Sequence, residues 1–144
     1  MTIRRHNPAE LHATSGYHHV TTVEGGRTIH LAGQCPLLPH ADPHSEDAVT
    51  GAGDVNAQVD LVAANTLAAL QSAGAIPEDV VRTVIYIASD DPAVLASAWD
   101  RFLESDLAAA FSSASTLLGV TALGYKDQLV ELDVTAAVAA ERMR

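Results

Sequence analysis

The sequence predicts an α+β domain in which one mixed sheet carries two helices on a single face, in the order β-β-α-β-α-β-β. Three observations lead there. Two stretches of helical periodicity, each with its own start signal, alternate with strand-like segments. Residues 129–134 alternate strictly, with Val130, Leu132 and Val134 on one face and Glu131 and Asp133 on the other. The 144 residues, 48% hydrophobic and 18% charged, are enough for one core and too few for two. Residues 1–144 are therefore read as one domain, with an N-terminal arm at 1–15 and a loop at 37–53.

In chain order, residues 1–15 read as an irregular arm that ends on Ser15 and Gly16. Tyr17 to Val23 reads as a strand, Gly25-Gly26 as a hairpin turn, and Arg27 to Ala32 as the return strand. Gly33-Gln34-Cys35-Pro36 breaks it, and the Pro, His, Asp and Gly of 37–53 predict a loop. Asp54 is placed to cap a helix of about 20 residues, with Val55, Val59, Val62, Leu67 and Leu70 as its stripe and Gly74 beyond its end. Val80 to Ala88 is apolar on both faces, the pattern of a central strand covered on both sides. Asp91-Pro92 starts a second helix that runs to about Glu104, with Leu95, Trp99 and Phe102 as core. Strands at 115–120 and 129–135 close the chain.

Two helices cover one side of such a sheet. An apolar face left bare marks an interface, so the reading predicts a homo-oligomer joined on that face, with Glu131 and Asp133 at or near the junction. The formal net charge of −10 and eight scattered cations speak against nucleic acid as a partner. No apolar run is long enough to span a bilayer, and the basic N-terminal residues are not followed by a secretory apolar segment. A lone Cys35 excludes an internal disulfide. A cytoplasmic protein without membrane contact is expected.

Several segments in order resemble one family. Leu31-Ala32-Gly33-Gln34 with Pro36 is similar to the S/A-G-Q-x-P segment of the Rid proteins (reactive intermediate deaminases, YjgF-type, once called L-PSP endoribonucleases). So are Asn65, Leu70, Ala73-Gly74, Asp79 to Tyr86, and the final block from Phe111 to Glu131. The resemblance runs from about Pro8 to Val138. It implies a chorismate-mutase-like fold, a homotrimer around a closed inner barrel, clefts between subunits, and hydrolysis of enamines and imines without metal or organic cofactor. In active members an Arg in P-x-R-S/A-x holds the substrate carboxylate by paired hydrogen bonds, and a Glu of the last strand positions the hydrolytic water.

Carried over by position, Glu131 matches the water-positioning Glu, Tyr17 the cleft Tyr, Gly33 and Gln34 the loop, and Thr116 the Cys or Thr position. The Arg position is Ala114, Ser112 stands where Pro is usual, and Ala96 replaces a common Asn. The chain thus resembles the branches lacking the Arg, for which deamination of 2-aminoacrylate is not expected. Other readings stand beside these. Glu131 also suits an interface carboxylate, and Tyr17 a packed aromatic. His18 and His19, adjacent on a strand, face opposite ways. His30, just before the Gly-Gln loop, is a candidate substitute anchor, although a strand His is more often structural. His40, His44, Asp42 and Glu46 read as a solvated loop rather than a metal site, and Cys35 as a small packed residue near the cleft. The leading expectation is a cofactor-independent Rid-type enzyme that converts an enamine, imine or related reactive intermediate, with Glu131 catalytic. The alternative is a non-catalytic trimer that binds a metabolite or a partner in the same clefts. A ribonuclease is opposed by the charge.

Overall fold

The structure, a computed structural model, describes residues 1–142. The end of the 1–144 domain, residues 143–144, lies outside the described residues. The strands are β1 (Thr2–His6), β2 (Val20–Glu24), β3 (Arg27–His30), β4 (Val80–Ile87), β5 (Ala114–Gly119) and β6 (Val130–Val138); the helices are α1 (Val55–Ser72) and α2 (Pro92–Leu103). The main sheet has the order β3-β6-β4-β5. Its β4–β5 pair is parallel and its other pairs antiparallel. The α+β class, the mixed sheet and the pair of helices are as the sequence predicts.

Both helices start and stop where their local chemistry says they should. The Asp54 side chain accepts from the Ala57 N–H at 3.0 Å, and the Asp91 side chain from the Ala93 N–H at 2.9 Å with Pro92 opening α2. Gly74 follows α1 at φ +77°, the left-handed region, and Ala75 N–H bonds back to Leu70 C=O at 2.9 Å. This is the six-to-one closure of a Schellman end, which glycine adopts without steric cost. Val59, Val62 and Leu70 of α1 and Ala98 and Phe102 of α2 pack with Ile85, Ile87, Val130, Leu132 and Val134 into one core. Thr66, mid-helix and buried, returns its hydroxyl to Val62 C=O at 2.7 Å.

Three expectations are corrected. The 1–15 arm is not wholly irregular: Thr2–His6 is β1, antiparallel to β2. Arg5 ties this ribbon down through Ser113 Oγ at 2.8 Å and the Glu78 and Val80 carbonyls, each at 2.9 Å. A sequence reading sees two arginines in a polar stretch; the partners of Arg5 lie some seventy or more residues away.

Gly25 and Gly26 do turn the chain with φ of +77° and +83°, but they do not close a paired hairpin. β2 pairs with β1 and β3 with β6, so the turn is a corner between two sheets. A Cβ on Gly26 would lie 2.6 Å from Val138 O, so the corner depends on close backbone approach as well as on φ. Tyr17 to His19 precede β2 rather than belonging to it.

β4 is central, between β6 and β5, but it is covered on one side only. Thr83, Ile85 and Ile87 are fully buried, whereas Arg82 is exposed and Val84 and Tyr86 are half-buried. The open face of the sheet thus carries Arg82, Val84 and Tyr86 of β4, Ala114, Thr116 and Leu118 of β5, and Glu131, Asp133 and Thr135 of β6. Among the described residues no helix is long and apolar enough to cross a membrane.

Candidate functional site

Strand alternation brings Glu131 to the open face, because Val130 and Leu132 must enter the core. Its carboxylate is held from two directions. Gln128 Nε2 donates to Glu131 Oε1 at 3.0 Å, and the Cys35 thiol donates to the same oxygen at 3.3 Å. Gln128 is itself buried; it also donates to Val130 C=O at 3.1 Å and accepts from Tyr125 N–H at 3.1 Å. The segment before β6 is fixed in turn by Gln58, buried in α1, which accepts from Leu129 N–H at 2.7 Å and donates to Asp127 C=O at 2.9 Å. A fully buried amide placed this way satisfies its polar atoms and sets the chain that leads into the acid.

The second oxygen of Glu131 lies against Gly33. A Cβ at position 33 would stand 2.1 Å from Glu131 Oε2, so this approach requires glycine. Gly33 is brought there because β3 continues past His30: Leu31 N–H bonds to Val134 C=O at 3.1 Å, and Gln34 exchanges both backbone bonds with Leu132 at 2.7 and 3.1 Å. Asn65 of α1 holds the next turn, donating to Cys35 C=O at 3.0 Å and Leu37 C=O at 2.9 Å. Leu31, Gly33, Tyr86, Leu123, Glu131 and Asp133 line a shallow recess of about 280 Å³.

Cys35 is not an activated nucleophile. Burial first, and then the Glu131 carboxylate that accepts its hydrogen bond and opposes its negative charge, push the thiol up to about 11. Near neutral pH it is a protonated donor, and its work is to orient Glu131. The sequence reading placed Cys35 near the cleft without this role, and missed Gln128 and Gln58. A Gln three residues before Glu131 is a weak local signal; the Cys35 contact, 96 positions away, leaves none.

The other expected residues gather elsewhere. Ala114 and Thr116 lie on the open face of β5, an edge strand. Ala114 N–H donates to Thr21 Oγ1 at 3.0 Å. Tyr17 lies by the helix-facing side of β5, where Ser15, Tyr17, Ala96, Trp99, Ser115 and Leu117 line a groove of about 460 Å³ with Asp100 at its rim. The Tyr17 ring meets Trp99 edge-on at 6.1 Å, and its hydroxyl lies 3.3 Å from His12 Nε2. Ala96, the replaced Asn position, is thus beside Tyr17.

The sheet register separates these two groups within one chain. Thr116 is opposite Val84, which is opposite Asp133, so Thr116 and Glu131 are two strands and two residues apart. At about 4.8 Å per strand and 3.3 Å per residue this is about 12 Å between Cα atoms, and about 16 Å for Ala114 and Glu131. His30 is exposed and pairs with Thr135. It therefore lies one strand and four residues from Glu131, about 14 Å, and three strands, also about 14 Å, from Ala114.

The family model described as endoribonuclease L-PSP matches residues 7–138. The chain belongs to this family. Among solved structures it is similar to YyfB of Yersinia pestis, a Rid-family protein of unknown function, at 30% identity over 96% of this chain and 100% of that chain, with a TM-score of 0.80. A second Rid-family protein of that organism, YyfA, is 26% identical over 88% of this chain and 90% of that one, with a TM-score of 0.61. A YjgF/YER057c/UK114-family protein from Mycobacterium tuberculosis, 23% identical over 95% of this chain and 100% of that one with a TM-score of 0.60, shares the fold. No curated protein matches the sequence.

Within this Rid family member, two carboxylates of the loop at 37–53 have partners within the chain. Asp42 accepts from His44 N–H at 2.9 Å, an Asx turn, and Glu46 lies 3.7 Å from Lys126. No group of three or more His, Cys, Asp or Glu that could hold a metal occurs among the described residues. His18 and His19 have separate backbone partners, Ser112 C=O and His12 C=O, and both serve to pin the arm.

Proposed function

We propose that this chain is a cofactor-independent enzyme of the Rid type that hydrolyses an enamine, imine or related reactive intermediate in clefts between subunits. The observation that carries this reading is Glu131: a half-buried carboxylate, fixed through one oxygen by Gln128 and Cys35, with the other oxygen at the Gly33 side of an open recess. A carboxylate so held can accept a hydrogen bond from water and direct it at an imine carbon. Water adds across C=N, the nitrogen takes up the proton, and loss of ammonia leaves the carbonyl. The sum is hydrolysis and needs no redox partner.

The separation of about 16 Å between Glu131 and position 114 supports clefts built from two copies, since one small molecule cannot touch both within one chain. The half-exposed sheet face supports a homotrimer in which each copy covers another. Position 114 is Ala, so 2-aminoacrylate held by its carboxylate from that position is not the expected substrate. The test is ammonia and carbonyl release from a panel of imines: turnover that Glu131→Gln lowers by about 10²-fold is expected, and native inactivity equal to that variant overturns the reading. Sedimentation at low concentration tests the assembly, and a compact single subunit would remove the clefts.

Ala114 also favours a second reading, a trimer that binds a metabolite or partner without transforming it. A ligand that raises Tm and is recovered unchanged supports this, whereas its turnover supports the enzyme. Ala114→Arg is expected to gain deaminase activity on carboxylate-bearing imines.

A further inference from the structure

In the row of the sheet that contains Ala114, the register runs His30, Thr135, Arg82, Ala114 from β3 to β5. Arg82 is therefore the immediate neighbour of Ala114, about 4.8 Å away between strands and on the same open face. His30 lies three strands from Ala114. The register of β4 against β6 slips just before Arg82: Val80 faces Ala136 and Arg82 faces Thr135, so Val81 is an extra residue. Such a bulge re-aims the side chain beside it. The guanidinium leans along β5, and its Nη2 reaches Thr116 Oγ1 at 3.5 Å.

Among the described residues Arg82, like Arg27, has no ion-pair partner. Acids outnumber cations by 18 to 8, and Arg4, Arg101 and Lys126 each have a carboxylate partner. Arg5 is spent on backbone carbonyls and Ser113. Arg82 shares its face with Glu131 and Asp133, yet among the described residues no carboxylate lies within ion-pair distance of it. An exposed, planar donor fork beside a hydroxyl, without an internal anion, is ready to take a carboxylate from outside.

We infer that Arg82 is the anion anchor of this cleft, and that its guanidinium and the Thr116 hydroxyl hold the carboxylate of a small 2-oxo or 2-imino acid. The inference rests on the cleft being a small-molecule site, as in the proposed function, but not on turnover. It differs from the family arrangement in the origin of the guanidinium, which here arises from β4 rather than from position 114 of β5.

Calorimetric titration of this chain with 2-oxobutyrate and with the uncharged 2-butanone tests it. The native protein is expected to prefer 2-oxobutyrate at least about tenfold. Arg82→Gln should weaken 2-oxobutyrate binding by about tenfold or more and leave 2-butanone unchanged, and Arg82→Lys should lose less because the charge remains. Equal affinity of the native and Gln proteins for 2-oxobutyrate, no preference over 2-butanone, or no measurable binding of 2-oxobutyrate overturns the inference. If Arg82→Gln does not fold, Arg82→Lys decides, since an unchanged Kd in that variant also overturns it. Imine hydrolysis that survives Arg82→Gln with unchanged 2-oxobutyrate binding sinks this inference alone. Arg82-dependent binding without hydrolysis of any imine sinks the enzymatic reading alone.

Discussion

The two faces of one sheet are built from alternate residues of the same strands, and they serve opposite ends. On β6, Val130, Leu132 and Val134 are essentially without solvent contact, while Glu131 and Asp133 between them are half-buried. On β4, Ile85 and Ile87 are sealed under the helices, while Arg82 is exposed. The covered face is apolar and closely packed, so its residues act on stability. The open face holds the acids, Arg82 and the recess, so the proposed chemistry falls to its residues. A step of one residue along a strand changes which property a substitution affects.

The contrast breaks most sharply if a covered residue is emptied. Leu132→Ala should cost about 2–5 kcal/mol of unfolding free energy, read by denaturant titration, because the site cannot collapse around the lost atoms. One residue away, Glu131→Gln should lower imine hydrolysis by about 10²-fold, or about 2.7 kcal/mol in the barrier, with Tm little changed. A large loss of stability from the Gln variant would instead assign Glu131 a structural role.

Gly33→Ala sharpens the comparison, since the added methyl meets the end of the Glu131 side chain rather than backbone. The carboxylate must move, so about a tenfold loss of rate with a near-native Tm is expected.

The thiol of Cys35 offers a test by pH. Its proton is held up to about 11 in the fold, against an ordinary 9.0. Between these values the folded chain binds more protons than the unfolded one, so this contribution to stability is present below about pH 9 and is lost as pH rises toward 11. Iodoacetamide labelling should be slow at pH 8 and should become faster at that pH in Glu131→Gln. Equal labelling rates would show that the acid does not govern the thiol.

The smallest effect is expected on the helical surface. The Arg101 guanidinium donates to both oxygens of Asp60, at 2.8 and 2.7 Å, and holds that carboxyl below its usual range. This contribution is lost as pH falls through the lowered value. Because both side chains are about half exposed, Asp60→Asn should cost under about 1 kcal/mol, and less in high salt.

The open face was legible in part. The alternation of 129–134 assigns Glu131 and Asp133 to one side, and the caps Asp54 and Asp91 locate both helices, because each signal is contained in a few consecutive residues. β1 was missed because its alternation is carried by charged and polar residues, and its stability comes from pairing with β2 and from the anchoring of Arg5. The Gly25-Gly26 turn was seen correctly as a turn and wrongly as a ladder, since two glycines specify φ but not the strand that each neighbour will pair with.

Residue order alone determined the α+β class, the helix limits and the face on which each β6 side chain would stand, because short-range sterics and amphipathic period decide those. Strand order was beyond its reach. Only the assembled sheet places β4 between β6 and β5, seats Arg82 beside Ala114, and brings the Cys35 thiol to Glu131. These neighbours are far apart in the chain, and their meeting depends on the packing of the whole core rather than on any local preference.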